Sequence, residues 1–214
     1  MAGEAFHQAL ALLKPLVSTG VGASVLNRLQ THLALVRRWN PIVSVVSEGD
    51  VAFLEERHLI DSLSLVPYVL RYCGPSGSLL DIGSGGGFPV LPVKCVLPAL
   101  KVVLIERSAR KVGFLQRAVA ALQLEGVQII HGNFPEALPK VDAACVTARA
   151  VERPRQLLPT LLKRMPLGCA FLCQSDITPV PGVKTFHVEH VEDAWRQAAL
   201  RRGELYIISQ QTRS

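Results

Sequence analysis

The chain has 214 residues, 49% hydrophobic and 19% charged, which provides for a sizeable buried core and excludes disorder as the main state. Its 23 Lys and Arg against 17 Asp and Glu give a net charge of +6 and an isoelectric point near 9.3, a surplus that favours polyanionic partners without requiring one. Five cysteines with no CxxC pair argue against a disulfide frame or a metal site, and no 18-residue apolar run or basic leader is present, so a cytoplasmic protein without a membrane span is expected.

In chain order, the first seventy residues read as helical. Val25, Leu26, Leu29, Leu33 and Val36 recur at three- and four-residue intervals, the stripe of a helix expected to end near Trp39-Asn40-Pro41. A second helical stretch is expected from about Val51 to Leu70. The Gly/Pro/Ser punctuation at residues 73–78 then separates a helical extension, 1–72, from a second part, 73–214, the two forming one compact unit. From Ser78 onward short apolar runs alternate with amphipathic stretches. The runs are SLLDIG, KVVLIE, VQIIH, DAACVTA and CAFLCQ, followed by β-like segments in VKTFHVEHV and ELYIISQ. Between the second and third runs, Phe114, Leu115, Ala118, Val119 and Leu122 make a helical stripe. Continuous apolar strands alternating with helices predict a seven-stranded, mostly parallel sheet covered on both faces, an α/β fold.

Asp81-Ile82-Gly83-Ser84-Gly85-Gly86-Gly87-Phe88 follows the first strand and precedes a helical segment containing Pro89 and Pro92. Glycines there allow a sharp turn and close approach to a ligand, at the strand end where open parallel sheets bind theirs. A dinucleotide fingerprint fails, because counting G-x-G-x-x-G from Gly83 puts Phe88, and from Gly85 puts Val90, at the third glycine. The pattern present is acidic-x-G-x-G-x-G, and a carboxylate before such a loop suits a cationic ligand rather than a pyrophosphate. Glu106 ends the next strand, 25 residues after Asp81, where a carboxylate can accept both hydrogen bonds of a ribose diol.

These residues resemble the class I (Rossmann-like) methyltransferases, and more closely the RsmG (GidB) family of small-subunit ribosomal RNA guanine-N7 methyltransferases. The resemblance rests on Arg57-His58-Leu59-Ile60-Asp61-Ser62-Leu63, the loop from Asp81 through Pro89, Glu106, Arg110-Lys111 with Phe114-Leu115, and Thr147-Ala148-Arg149-Ala150. It implies a transferase that binds S-adenosyl-L-methionine, acts in rRNA processing on ribosomal RNA or the assembled small ribosomal subunit, and works as a monomer. Gly83 and Phe88 would border the methionine part of the cofactor, Asp81, Gly85 and Gly87 would belong to the same cofactor site, Glu106 would hold the ribose, and Phe134 and Pro135 would flank the adenine. Arg149 would sit between cofactor and RNA. The chain departs from the family pattern at Asn133-Phe134-Pro135-Glu136, where Pro135 has no amide to offer the adenine, and at Ile42-Val43-Ser44, which stands for Asn-Leu-Thr.

Guanine N7 has a free lone pair, so no general base and no catalytic dyad are expected; positioning is expected to carry the reaction, with Arg149 the one candidate for a direct part. Arg110 and Arg117, seven apart on one helix face, could form a phosphate track with Arg107 and Lys111, and Arg149 and Arg153 are further RNA-binding candidates. No metal is expected. Arg57 and Asp61 read as an i,i+4 pair. Two other readings stay open on the residues alone: a methyltransferase for a small molecule or protein, and a non-catalytic RNA-binding protein that keeps the fold.

Overall fold

The computed structural model describes residues 3–17, 20–138, 142–149, 154–165, 168–174, 186–201 and 203–210. The seven runs all form strands: β1 (Ser78–Ile82), β2 (Lys101–Glu106), β3 (Val127–His131), β4 (Cys145–Ala148), β5 (Ala170–Cys173), β6 (Phe186–His190) and β7 (Tyr206–Gln210). They lie in one sheet of order β3-β2-β1-β4-β5-β7-β6, with β7 antiparallel to both its neighbours and the other pairings parallel. The chain leaves β1 on one side for β2 and later returns to its other side with β4, so the crevice of this fold opens at the carboxyl ends of β1 and β4.

The alternation of side chains along each strand divides the apolar residues between two cores. Leu79, Val102, Leu104, Cys145, Leu172 and Ile207 face the core shared with the N-terminal helices α1 (Glu4–Leu13) and α2 (Ala23–Val43). Leu80, Ile82, Val103, Ile105, Val146 and Phe171 face the opposite core, which Leu161 and Leu162 of α7 (Pro154–Arg164) and Met165 just after it help to close. Helix α5 (Val90–Val96) and helix α6 (Ala109–Ala121) pack on the first face, α6 through Phe114, Leu115 and Ala118. A short α8 (Ala194–Gln197), capped by the Asp193 carboxylate on the Arg196 amide at 3.0 Å, follows β6. All five cysteines are free thiols, four of them buried. Among the described residues no helix is long and apolar enough to cross a membrane.

Two helix boundaries differ from the pattern reading. Helix α2 runs through Pro41 to Val43, because a proline removes only one internal hydrogen bond while Asn40 rebuilds the terminus. Its carbonyl accepts the Ser44 amide at 2.8 Å and its side chain accepts the Val46 amide at 2.9 Å, with Ser44 left-handed at φ 52°. The single helix expected over 51–70 is instead a 3-10 turn (Glu48–Phe53), a π-helical turn (Glu55–Ile60), a short α3 (Asp61–Leu63) and α4 (Val66–Cys73). A π turn rotates successive side chains differently from an α turn, which breaks the simple i,i+4 spacing. Arg57 consequently pairs with Asp50 at 2.6 Å, and Asp61 pairs with Arg149 at 3.2 Å.

Candidate functional site

At the carboxyl end of β1 the chain turns through Gly83, Gly85 and Gly87, all at positive φ (75°, 52° and 80°). The turn is anchored by the Gly83 amide on the Ile105 carbonyl at 2.8 Å and the Gly87 amide on the Ser84 carbonyl at 2.7 Å. The two later glycines serve different ends. A Cβ on Gly87 would fall 2.4 Å from Leu91 Cδ1 and 3.4 Å from His32 Nε2, so that glycine is required by packing. A Cβ on Gly85 would meet only ordinary contacts, Val45 O at 3.6 Å being nearest, and Gly85 lines an open cavity.

That cavity has a volume of about 1410 Å³. Glu106 stands on its wall, its Oε2 accepting the Gly85 amide at 2.9 Å and its Oε1 the Ser108 amide at 2.8 Å. Each carboxylate oxygen has a second lone pair, so both can accept one further hydrogen bond from a ligand. Gly83, Phe88, Phe134, Pro135, Arg107, Lys111 and Arg149 line the same space. Asp81 and Gly87 lie behind this wall rather than in it. Arg110 and Arg117 are exposed on the side of α6 facing α2: Arg110 donates to the Ile42 carbonyl, and the Arg117 guanidinium lies 4.9 Å from the Trp39 ring centre. Arg153 lies outside the described residues, as does Glu152.

Asp81 is 1% exposed and faces its register partner Thr147, whose hydroxyl donates to Oδ1 at 2.6 Å. Its Oδ2 has no hydrogen-bond partner among the described residues. Burial pushes this carboxyl up to about 6, against the hydrogen bonds from Thr147 and Ser84, and the Glu106 charge adds to the rise. A buried acid held this close to neutrality beside a glycine loop is poised to respond to a cationic ligand.

Arg149, at the end of β4, is fixed by two groups. Its Nη2 donates to the Arg57 carbonyl at 2.6 Å and lies 3.2 Å from Asp61 Oδ2, which also accepts from Gln174 Nε2 at 3.0 Å. Its Nη1 is buried without a hydrogen-bond partner among the described residues, while the side chain borders the cavity. An ordered planar cation with a free donor is suited to an acceptor on a bound molecule.

Three contributors escaped the pattern reading. His32 falls on the apolar stripe of α2 between Leu29 and Leu33, and a polar residue on such a stripe was the available signal. Its Nε2 lies 2.8 Å from the Gly86 carbonyl; a carbonyl only accepts, so Nε2 carries the proton. Phe88 packs between His32 and His58, with ring centres 4.6 and 5.1 Å away. Burial lowers both histidines to about 4, so both are neutral at pH 7; the Gly86 hydrogen bond opposes the shift at His32 and Asp50 opposes it at His58, where Arg149 adds to it. Asp50, brought to the rim by the 3-10 turn, is lowered to about 2 by hydrogen bonds from Ser47 and Arg57, and stays ionised. Gln174, at the end of β5, is the third. One group of potential metal ligands occurs among the described residues, His190, Glu192 and Glu204; none lines the cavity, and Glu204 is held by Arg196 at 2.6 Å.

A family model described as rRNA small subunit methyltransferase G matches residues 25–173. A curated protein named ribosomal RNA small subunit methyltransferase G, from Paracoccus denitrificans, is 35% identical over 146 residues, covering 68% of this chain and 74% of that protein. One of the same name from Halorhodospira halophila is 40% identical over 137 residues, 64% of this chain and 63% of that protein, so the match takes in less than two thirds of its length. Among solved structures, a variant of MtNAS in complex with S-adenosylmethionine superposes with a TM-score of 0.59 at 11% identity, over 98% of this chain and 80% of that one. At that identity the likeness bears on the fold alone.

Proposed function

The chain belongs to the rRNA small subunit methyltransferase G family, and on that premise we propose that it transfers the methyl group of S-adenosylmethionine to N7 of a guanine in small-subunit ribosomal RNA. The observation that carries this reading is a single cavity lined both by the glycine loop, Glu106 and Phe134 and by Arg37, Asn40, residues of the 44–51 segment, His58 and Arg149. Small-ligand sites usually measure about 300–1,000 Å³, so 1410 Å³ leaves room for a second occupant beside the methyl donor.

The residues fit the donor. Glu106 presents two pre-oriented acceptors to a ribose diol, and the space beside Gly85 is open where any side chain would fill it. When bound, S-adenosylmethionine supplies an electrophilic methyl on a cationic sulfur. The protein's own task is placement: Glu106 and the open face of the glycine loop would hold the donor, Phe88 stiffened by two neutral histidines would form a dry wall, and Asp81 would contribute negative potential from behind it. Methylation at N7 would use that atom's own lone pair and release the sulfur as a neutral thioether, so neither Asp50 nor Glu106 on the wall needs to act as a general base. Arg149 Nη1 is available to the acceptor base or the donor carboxylate.

Arg107, Lys111 and Arg37 at the cavity, with Arg110 and Arg117 alongside, support an RNA partner, since lysines and arginines gather where phosphates approach. Action as a monomer, in the cytoplasm where small subunits are made, completes this proposal. A non-catalytic RNA binder would leave the Gly85–Glu106 arrangement without a use. The test is incubation with methyl-tritiated S-adenosylmethionine and small ribosomal subunits, followed by nuclease digestion and nucleoside chromatography. Label in 7-methylguanosine is expected; no transfer, or label in another nucleoside, would overturn the proposal.

A further inference from the structure

Four large hydrophobic side chains are exposed among the described residues: Leu16, Ile42, Phe53 and Val188. Two of them, Ile42 and Phe53, bracket the 44–51 segment that lines the cavity. Isolated exposed apolar residues are ordinary on protein surfaces, but the surroundings of Phe53 are not those of a stray side chain. Phe53 as a residue is 46% exposed, and the Arg57 guanidinium lies 4.3 Å from its ring centre. Arg57 is itself fixed: Nη1 donates to Asp50 Oδ1 at 2.6 Å, Asp50 Oδ2 accepts the Ser47 hydroxyl at 2.6 Å, and the Arg57 carbonyl accepts Arg149 Nη2. The ring is therefore tied to the cavity wall at Asp50 and Arg149 through two short links.

We infer that Phe53, backed by Arg57, is a stacking platform for an unpaired nucleobase next to the base that enters the cavity. This rests on the RNA reading above and adds a subsite to it. A base cannot reach a buried methyl donor while stacked in RNA, so its neighbours lose a stacking partner when it enters. Single-stranded RNA is recognised by stacking such bases on aromatic rings and on arginine planes. Asp50 neutralises Arg57, so this subsite offers a base a π surface rather than offering a phosphate a charge. The phosphate contacts fall instead to Arg37, Arg107 and Lys111 around the same rim.

The charge balance makes the platform separable from the basic rim by experiment. Binding of end-labelled oligoadenylate, and of an abasic ribose-phosphate strand of equal length, is measured by anisotropy for the wild type, Phe53→Leu and Phe53→Trp over a range of salt. Phe53→Leu should weaken oligoadenylate binding by about tenfold, as expected for loss of one base–aromatic stack. It should leave the abasic strand and the salt slope unchanged, and Phe53→Trp should keep wild-type affinity. Calorimetric titration with S-adenosylmethionine should give equal affinity for all three proteins, showing that the cavity is intact. The platform is overturned by equal wild-type affinity for both strands, by equal weakening on both, or by a defect of Phe53→Leu seen only on whole subunits, which would assign Phe53 to a ribosomal protein. Methyl transfer by the wild type to small subunits reads the underlying function separately: transfer with unchanged Phe53→Leu binding removes the platform alone.

Discussion

Asp81→Asn separates what the buried carboxylate costs the fold from what it does for the site. In the fold this carboxyl titrates at about 6, against 3.8 for an unperturbed aspartate. A raised carboxyl pKa means that the folded state binds more protons than the unfolded state between those two values, so stability is lost as pH rises through that window. Complete ionisation costs about 3 kcal/mol, of which about 2 kcal/mol develops between roughly pH 4.5 and 7.5. The asparagine has no charge to bury. The stability of Asp81→Asn minus that of the wild type should therefore grow by about 2 kcal/mol over that range, or roughly 4–8 °C in melting temperature for a chain of this size. The difference is taken because His32 and His58 titrate in both proteins and cancel, as does any fixed cost of burying an amide in place of an acid. The assay is urea denaturation of both proteins at the two pH values, with calorimetric titration of S-adenosylmethionine alongside. Affinity for this cationic ligand should fall in the variant even where its stability gains. Parallel pH profiles for the two proteins would refute the argument, since they would mean that Asp81 is ionised in the fold without penalty.

Gly85→Val should abolish binding of S-adenosylmethionine by calorimetry and cost at least about 1–2 kcal/mol for a β-branched side chain at φ 52°, its Cβ itself meeting no protein atom nearer than 3.6 Å; Gly87→Ala should instead damage folding, with its Cβ driven into Leu91. Normal affinity in Gly85→Val would remove that glycine from the ligand site. Arg149→Ala should depress methyl transfer and also cost about 3 kcal/mol in urea denaturation, because it strips Asp61 of a partner where the side chain is 6% exposed; wild-type stability would show that the Arg149–Asp61 pair is not formed in solution. Since His32 and His58 are lowered from 6.5 to about 4, they bind fewer protons folded than unfolded, so their contribution is present above pH 6.5 and lost as pH falls toward 4. For His32 that loss is about 3 kcal/mol, and His32→Gln should flatten the acid limb of the stability profile; an unchanged limb would place its titration elsewhere.

The central strands β1, β2, β4 and β5 were legible in sequence because a strand buried on both faces must be apolar throughout, and such runs are conspicuous when helices separate them. The glycine loop and Glu106 were legible for a related reason: positive φ and close approach leave few residue choices, and a strand end is a defined position. Amphipathic spacing failed between residues 40 and 63, where side-chain capping by Asn40 and a π turn replaced regular α geometry. It was in that segment that Arg57 and Asp61 found partners other than each other. By itself the sequence settled the layers, the strands and the position of the glycine loop, because these follow from local periodicity and backbone sterics. Only the tertiary structure decided that His32 braces the loop 54 residues away and that Arg149 is clamped by Arg57 and Asp61. Those contacts join elements far apart in the chain, and a buried polar group takes whichever partner the packing of distant segments brings within reach.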